Sequence, residues 1–138
     1  YRASFDKLWG YTNVVRLGAE HMSEDGSIVL VSGAPARRAK PGQAAIASVG
    51  GAVEQFVRAV TAELAPMRIN VVSPGVIDTP MFGNDADARA KMLGGATAKN
   101  LIPRAGTPEE VAEGIMFVVK NDFVTGTIID VDGGWILS

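Results

Sequence analysis

The chain contains no cysteine and a single histidine, His21. The first absence excludes disulfides, thiol nucleophiles and thiolate metal centres, and it is compatible with a reducing compartment. The second leaves no imidazole pair, so His21 reads as a charge partner at a helix end rather than a catalytic or metal-binding group. No charge of one sign dominates. Thirteen Lys and Arg against fifteen Asp and Glu give a formal net charge of −2, with no electrostatic ground to expect nucleic acid or an anionic membrane as partner. No apolar run approaches the roughly 18 residues of a membrane span, and residues 1–20 lack the basic start and apolar block of a signal peptide. The expected location is therefore the cytoplasm. Asp85 and Asp87 sit in a polar stretch with no third ligand at useful spacing, and no metal is expected. An initiating methionine is missing too: the chain starts at Tyr1, already within a helical pattern, which suggests that further sequence lies upstream.

What is present suits a soluble α/β protein. With 138 residues, 47% of them hydrophobic, the chain reads as one domain over 1–138 with a real core. Phe5, Leu8, Trp9, Val14, Val15, Leu17 and Met22 recur at helical spacing, which predicts a helix over 3–22 ended by the turn "SEDGS". "SIVLVS" (27–32) is a short β-branched run of the kind buried in a parallel sheet. A helix over 42–65 stops before Pro66, and "RINVVSPG" (68–75) is a second strand. A polar stretch over 76–106 holds one short helix around "ADARAKML". The next helix, "TPEEVAEGIMFVV", has Thr107 as its cap, Pro108 in its first position and Glu110 closing a capping box. "TGTIIDVDGG" (125–134) is the third strand.

Strands alternating with helices imply right-handed crossovers and a parallel sheet covered on both faces. Three strands make a poor sheet of that kind, and the first is apolar enough to need a neighbour on each side. The fold class expected is thus α/β: the C-terminal half of a doubly wound, parallel-sheet Rossmann-type domain, three parallel strands with flanking helices, its N-terminal half absent from the chain.

Four landmarks in this order, "GSIVLVSG", "AVEQFVRAVTAELAP", "RINVVSPGVIDTPM" and "TGTIIDVDGG", together with "GTPEEVA", resemble the C-terminal half of the short-chain dehydrogenase/reductase family. The resemblance implies NAD or NADP in a Rossmann-type sheet, with NADP favoured, and hydride transfer to or from a carbonyl or alcohol carbon of a small molecule. It also implies that the glycine-rich pyrophosphate turn lies upstream of Tyr1. What survives of the cofactor site is "PGVIDT": the backbone at Pro74, Gly75, Val76 and Ile77 would face the nicotinamide, Thr79 would offer a hydroxyl, and Ser32 would stand close by at the end of the first strand. A strand ending in Pro-Gly at the carboxyl edge of a parallel sheet also exposes unpaired backbone groups where such folds hold ligands. Read alone, the same segment is only a strand-ending turn.

The family's chemistry uses a tyrosine, a lysine one helical turn later, a serine ending the preceding strand and an asparagine on the helix before it. In this chain those positions hold Ile46, Gly50, Gly33 and Lys7. None of the first three can move a proton, and the catalytic residues are unknown. The lysine normally sits beside the phenol because residues at i and i+4 share a helix face, and its charge favours the ionised phenol. Gly50 and Gly51 in a helix each cost about 1 kcal/mol relative to alanine, so close packing is expected there. Either Gly51 admits another backbone, or both glycines meet a neighbouring subunit's helix. Ser32 and Lys7 are candidate substitutes, though a strand-end serine usually caps backbone and a helix lysine usually meets solvent. Arg37, Arg38 and Lys40 read as a solvated loop, with phosphate contact as the lesser reading.

Two functions remain open: an atypical NAD(P)-dependent oxidoreductase, or a non-catalytic relative serving as nucleotide sensor or interaction scaffold. Met81, Phe82, Met92 and Leu93 fall where the family builds its substrate lid. Homo-oligomerisation is expected by resemblance through the helices over 3–22 and 42–65 and the last strand.

Overall fold

The second strand of the chain is almost wholly buried, and the rest of the fold is arranged around it. A computed structural model describes residues 2–138; Tyr1, expected on the first helix, lies outside the described residues. The elements are α1 (Arg2–Gly18), β1 (Ser27–Val31), α2 (Ala44–Leu64), β2 (Arg68–Pro74), α3 (Ala86–Thr97), α4 (Pro108–Lys120) and β3 (Ile128–Val131). The strands form a parallel sheet in the order β1-β2-β3, with Ile28 opposite Ile69 and Val72 opposite Ile129.

The core follows from strand alternation. Leu30, Ile69 and Val71 face one side, where they pack with Val53 and Val57 of α2 and Val15 of α1. The other side is covered by α4: Gly114 faces Val72 and Val131, so closely that an added Cβ would stand 2.9 Å from Val131 Cγ2. Asn70, wholly buried in the middle strand, is satisfied by the Val124 carbonyl (2.9 Å) and the Thr127 N–H (3.2 Å).

Most element boundaries fall within a few residues of the sequence reading, and the differences have local causes. The first helix gives way to a 3-10 turn at Ala19–His21. Pro41 and Gly42 stay outside α2, because Gly42 takes a left-handed φ of 87° that a right-handed helix does not use. β3 is shorter than 125–134, bounded by Gly126 on one side and Gly133 and Gly134 on the other, all at positive φ. α3 extends to Thr97, started by Asp85, whose Oδ1 accepts the Ala88 N–H at 2.7 Å. The capping box forms in full: Thr107 Oγ1 accepts the Glu110 N–H (3.3 Å) and Glu110 Oε2 accepts the Thr107 N–H (2.8 Å). At its other end α4 is closed by Arg68, which is buried on β2 and donates to the carbonyls of Val118 (2.8 Å) and Val119 (3.0 Å).

Candidate functional site

The turn after β2 is built by close backbone approach. An added Cβ at Gly75 would lie 2.7 Å from Asp132 Cα, so only glycine lets the chain pass the end of β3 there. Its N–H donates to the Val131 carbonyl at 3.0 Å. The Gly106 N–H then donates to Val76 and the Asp78 N–H to the Gly106 carbonyl, both at 2.9 Å, forming a parallel bridge between Ile77 and Gly106. This corrects the expectation of an unpaired edge, because β3 and a strap from the α3–α4 connection take up most of it. In a bridge of this kind the central residue's own N–H and C=O point the opposite way, so those of Ile77 remain available on the outer side. Thr79 stands half-buried at the start of the 3-10 turn Pro80–Phe82, and its hydroxyl makes no cap bond. Asp78 is held by Arg89 of α3, with Nε to Oδ1 at 2.9 Å. A groove of about 350 Å³ opens beside the turn, lined by Val76, Ile77, Arg104, Glu110, Asp130 and Asp132 among others. A larger open depression, about 580 Å³, lies at the C-terminal end of α4, the end fixed by Arg68 at the start of β2, and so away from this edge.

At the end of β1 every polar group of Ser32 is engaged. Its N–H goes to Val72 (3.0 Å), its carbonyl accepts from Lys7 Nζ (3.3 Å) and its hydroxyl donates to Glu54 Oε1 (2.8 Å). Glu54, on α2 and only 4% exposed, is a polar group the sequence reading missed, since a glutamate in a helix ordinarily meets solvent. Lys7 is half-buried, with the Tyr11 ring 5.6 Å away and no carboxylate in ion-pair range among the described residues. Burial pushes its pKa down from the ordinary lysine value.

The position one helical turn before Glu54 is packed shut from within the same chain. An added Cβ at Gly50 would meet Ala36 Cβ at 2.9 Å, whereas at Gly51 the nearest atom is the Ala36 carbonyl at 4.0 Å. The close approach expected of Gly51 is therefore made by Gly50, against the loop after β1. Ile46 lies half-exposed at 50%. Gly33 opens that loop, and an added Cβ there would be 3.8 Å from the Pro74 carbonyl, which brings the ends of β1 and β2 together.

The loop cations are exposed, as expected of a solvated loop, yet they also contact the protein. Arg37 forks onto both oxygens of Asp130 on β3 and lies 3.6 Å from Glu54, while Lys40 sits 3.6 Å over the Trp135 ring. Of the apolar residues expected in a lid, Leu93 is buried, Phe82 is half-buried, and Met81 and Met92 are 83% and 51% exposed. His21 stays exposed on the turn ending α1, and Asp87 lies in the first turn of α3.

A three-stranded parallel sheet with helices on both faces, its carboxyl edge carrying a Pro-Gly turn, defines the class: a fragment of a Rossmann-like α/β protein. A family model described as enoyl-(acyl carrier protein) reductase matches residues 6–136. The short-chain dehydrogenase/reductase ATR9 of Stachybotrys chlorohalonatus is 41% identical over 108 residues, covering 78% of this chain and 43% of that protein. The cyclopentanol dehydrogenase of Comamonas testosteroni is 41% identical over 116 residues, covering 80% and 45%. The crystal structure of a small-chain dehydrogenase in complex with NADPH superposes with a TM-score of 0.91 at 34% identity, over 97% of this chain and 62% of that one. The chain belongs to the short-chain dehydrogenase/reductase family. It spans less than half the length of these two curated relatives. Among the described residues no helix is long and apolar enough to cross a membrane.

Proposed function

We propose that this chain is the nicotinamide-end half of an atypical NAD(P)-dependent oxidoreductase, a partial Rossmann-type domain over 1–138, acting on a small carbonyl or alcohol substrate. One observation carries the reading: the Pro74–Ile77 turn is held rigidly against β3 and Gly106 while the N–H and C=O of Ile77 stay free on its outer side. A fixed donor and acceptor on the same residue, directed to one side, suit a planar carboxamide, which both gives and takes hydrogen bonds. NADP is favoured over NAD, supported by the NADPH bound in the similar dehydrogenase structure. When bound, the dinucleotide would supply hydride to a carbonyl carbon or accept it from an alcohol carbon. The protein's part is to orient the nicotinamide at Ile77 and Thr79 and to exclude water with the loop after β1. A cytoplasmic location and a homo-oligomer belong to the same reading, the latter supported by the exposed Trp9, Val14 and Leu17 on α1.

Gly50 favours a second reading. With Ala36 filling the volume beside it, no ammonium can be carried at that position, and Ile46 offers no proton. Loss of a general acid-base group costs about 10²- to 10⁴-fold in rate, so the fold could serve as a nucleotide sensor or scaffold. Titrating NADPH and NADH while following the fluorescence of Trp9 and Trp135 tests both readings at their shared step. Saturable quenching supports nucleotide binding, and its absence with the complete chain removes the enzyme and the sensor together. Turnover of a carbonyl panel, with Lys7→Met and Ser32→Ala variants, then separates enzyme from sensor.

A further inference from the structure

Between β1 and α2 three basic residues turn back onto the protein, and together they reach β3, α2, α3 and the C-terminal turn. Arg37 spans the end of β2: it forks onto Asp130 of β3, with one contact at 2.9 Å, and its Nε lies 3.6 Å from Glu54 of α2. Arg38 reaches the Ile136 carbonyl at 3.5 Å, and its own carbonyl accepts the Trp135 Nε1–H at 3.1 Å. Lys40 covers the Trp135 ring and touches the Ala96 carbonyl of α3 at 3.4 Å. Glu54 and Trp135 are buried, at 4% and 5% exposure, while the three cations and Asp130 stay accessible to solvent.

The row of the sheet beneath Arg37 holds a reserve partner. Ser73 on β2 lies directly opposite Asp130, and because Ser32 N–H pairs with Val72, Ser73 also neighbours Ser32 on the other side. Its hydroxyl is wholly buried and has no hydrogen-bond partner among the described residues. Buried hydroxyls are ordinarily paired. Neighbouring strands run about 4.8 Å apart, so the hydroxyl is within a side chain's reach of Asp130 when Arg37 leaves. The row therefore offers two arrangements: Arg37 on Asp130, or Ser73 on Asp130 with the loop released.

We propose that the segment over 33–40 is a latch with Arg37 as its bolt, and that it moves together with the C-terminal turn Trp135–Leu137. Closed, it presses Ala36 onto Gly50 and keeps Gly33 beside the Pro74 carbonyl. Open, it uncovers the α2 face between Ile46 and Gly50. That opening admits a ligand to the Pro74–Ile77 edge is a consequence resting on the nucleotide reading above; the latch itself does not depend on it.

The test uses Trp135 as reporter. The sequence has two tryptophans, so a Trp9→Phe background leaves Trp135 alone. In that background acrylamide quenching of Trp135 should rise at least threefold in Arg37→Ala and in Asp130→Asn, rise less in Arg37→Lys, and stay unchanged in Lys120→Ala, a substitution at the end of α4. Hydrogen exchange of the amides of residues 36–38 should accelerate in the same order, with helix content by circular dichroism retained. If Arg37→Ala does not fold, Asp130→Asn decides, because it leaves Arg37 and Glu54 in place. Unchanged quenching in Asp130→Asn, or Arg37→Lys indistinguishable from wild type, overturns the latch. No readout involves a nucleotide, so failure of the latch and failure of the nucleotide reading give different results.

Discussion

Gly50 of α2 and Ala36 of the loop after β1 approach so closely that a Cβ on the glycine would stand 2.9 Å from the Cβ of Ala36. The adjacent Gly51 has only ordinary contact there, at 4.0 Å. The same substitution at these two positions should therefore act in opposite directions. Gly51→Ala gains helix propensity without a clash and should stabilise by about 1 kcal/mol. Gly50→Ala gains as much, but overpacking costs about 1 to 3 kcal/mol, so it should be net destabilising. Paired urea melts of the two variants and of Gly50→Ala/Ala36→Gly, which should recover the loss, decide the matter. Equal shifts for both single variants would remove the proposed packing role of Gly50. By the same geometry Ile46→Tyr/Gly50→Lys should fail to produce reductase turnover while Ala36 is in place.

Gly75 tests the proposed cofactor edge. A Cβ there meets main-chain atoms of Asp132, 2.7 Å from Cα and 2.8 Å from the carbonyl oxygen, and backbone cannot swing aside as a side-chain end can. Gly75→Ala should lose about 2 to 3 kcal/mol of stability and weaken NADPH binding at least tenfold by displacing Ile77. Fluorescence titration at a temperature where the variant is folded separates the two effects. Unimpaired binding would mean that Ile77 does not form the contact.

Acid should loosen the start of α4. Glu110 accepts from Arg104 at 2.6 and 2.9 Å and from the Thr107 N–H, and these contacts hold its carboxyl down at about 2, against an ordinary 4.5. Because the folded value is depressed, its contribution is complete above pH 4.5 and fades as the pH falls toward 2. The melting temperature of Glu110→Gln should accordingly depend less on pH than wild type across that window. Since the pair is exposed, the difference should be modest, and parallel pH profiles would show that it contributes nothing.

Lys7 should behave in the opposite sense. Burial lowers its pKa and no carboxylate compensates, so the charged form burdens the folded state below the folded pKa, a burden relieved as the pH rises toward 10.5. Lys7→Met should melt at or above the wild-type temperature at pH 7, and any advantage should shrink by pH 10. A drop of several degrees at pH 7 would show that the 3.3 Å bond to the Ser32 carbonyl outweighs the desolvation.

Much of the fold was legible because its signals are local. Spacing placed α1 and α2, β-branched runs placed β1 and β2, and the Thr107–Glu110 box marked the start of α4 to the residue. β3 was overextended because Thr125, Gly126, Gly133 and Gly134 resemble strand flanks in sequence, while positive φ at three of them ends the pairing. The candidate site was legible only as positions. That Pro74 to Ile77 form the edge could be read from the strand's end, but that Gly106 pairs with half of it could not, since no pattern links a turn to a strap some thirty residues on.

The amino-acid sequence alone determined the alternation of helix and strand, hence a parallel sheet, and it left α2 without tyrosine or lysine, because those depend on residue type and near-neighbour spacing. Tertiary structure alone decided what packs beside Gly50. Arg37 meets Asp130 across 93 residues of chain and Trp135 meets Arg38 across 97, and contacts at such separations depend on how elements pack rather than on any local preference. The loop charges stay exposed, yet in this way they also reach β3, α2 and the C-terminal turn.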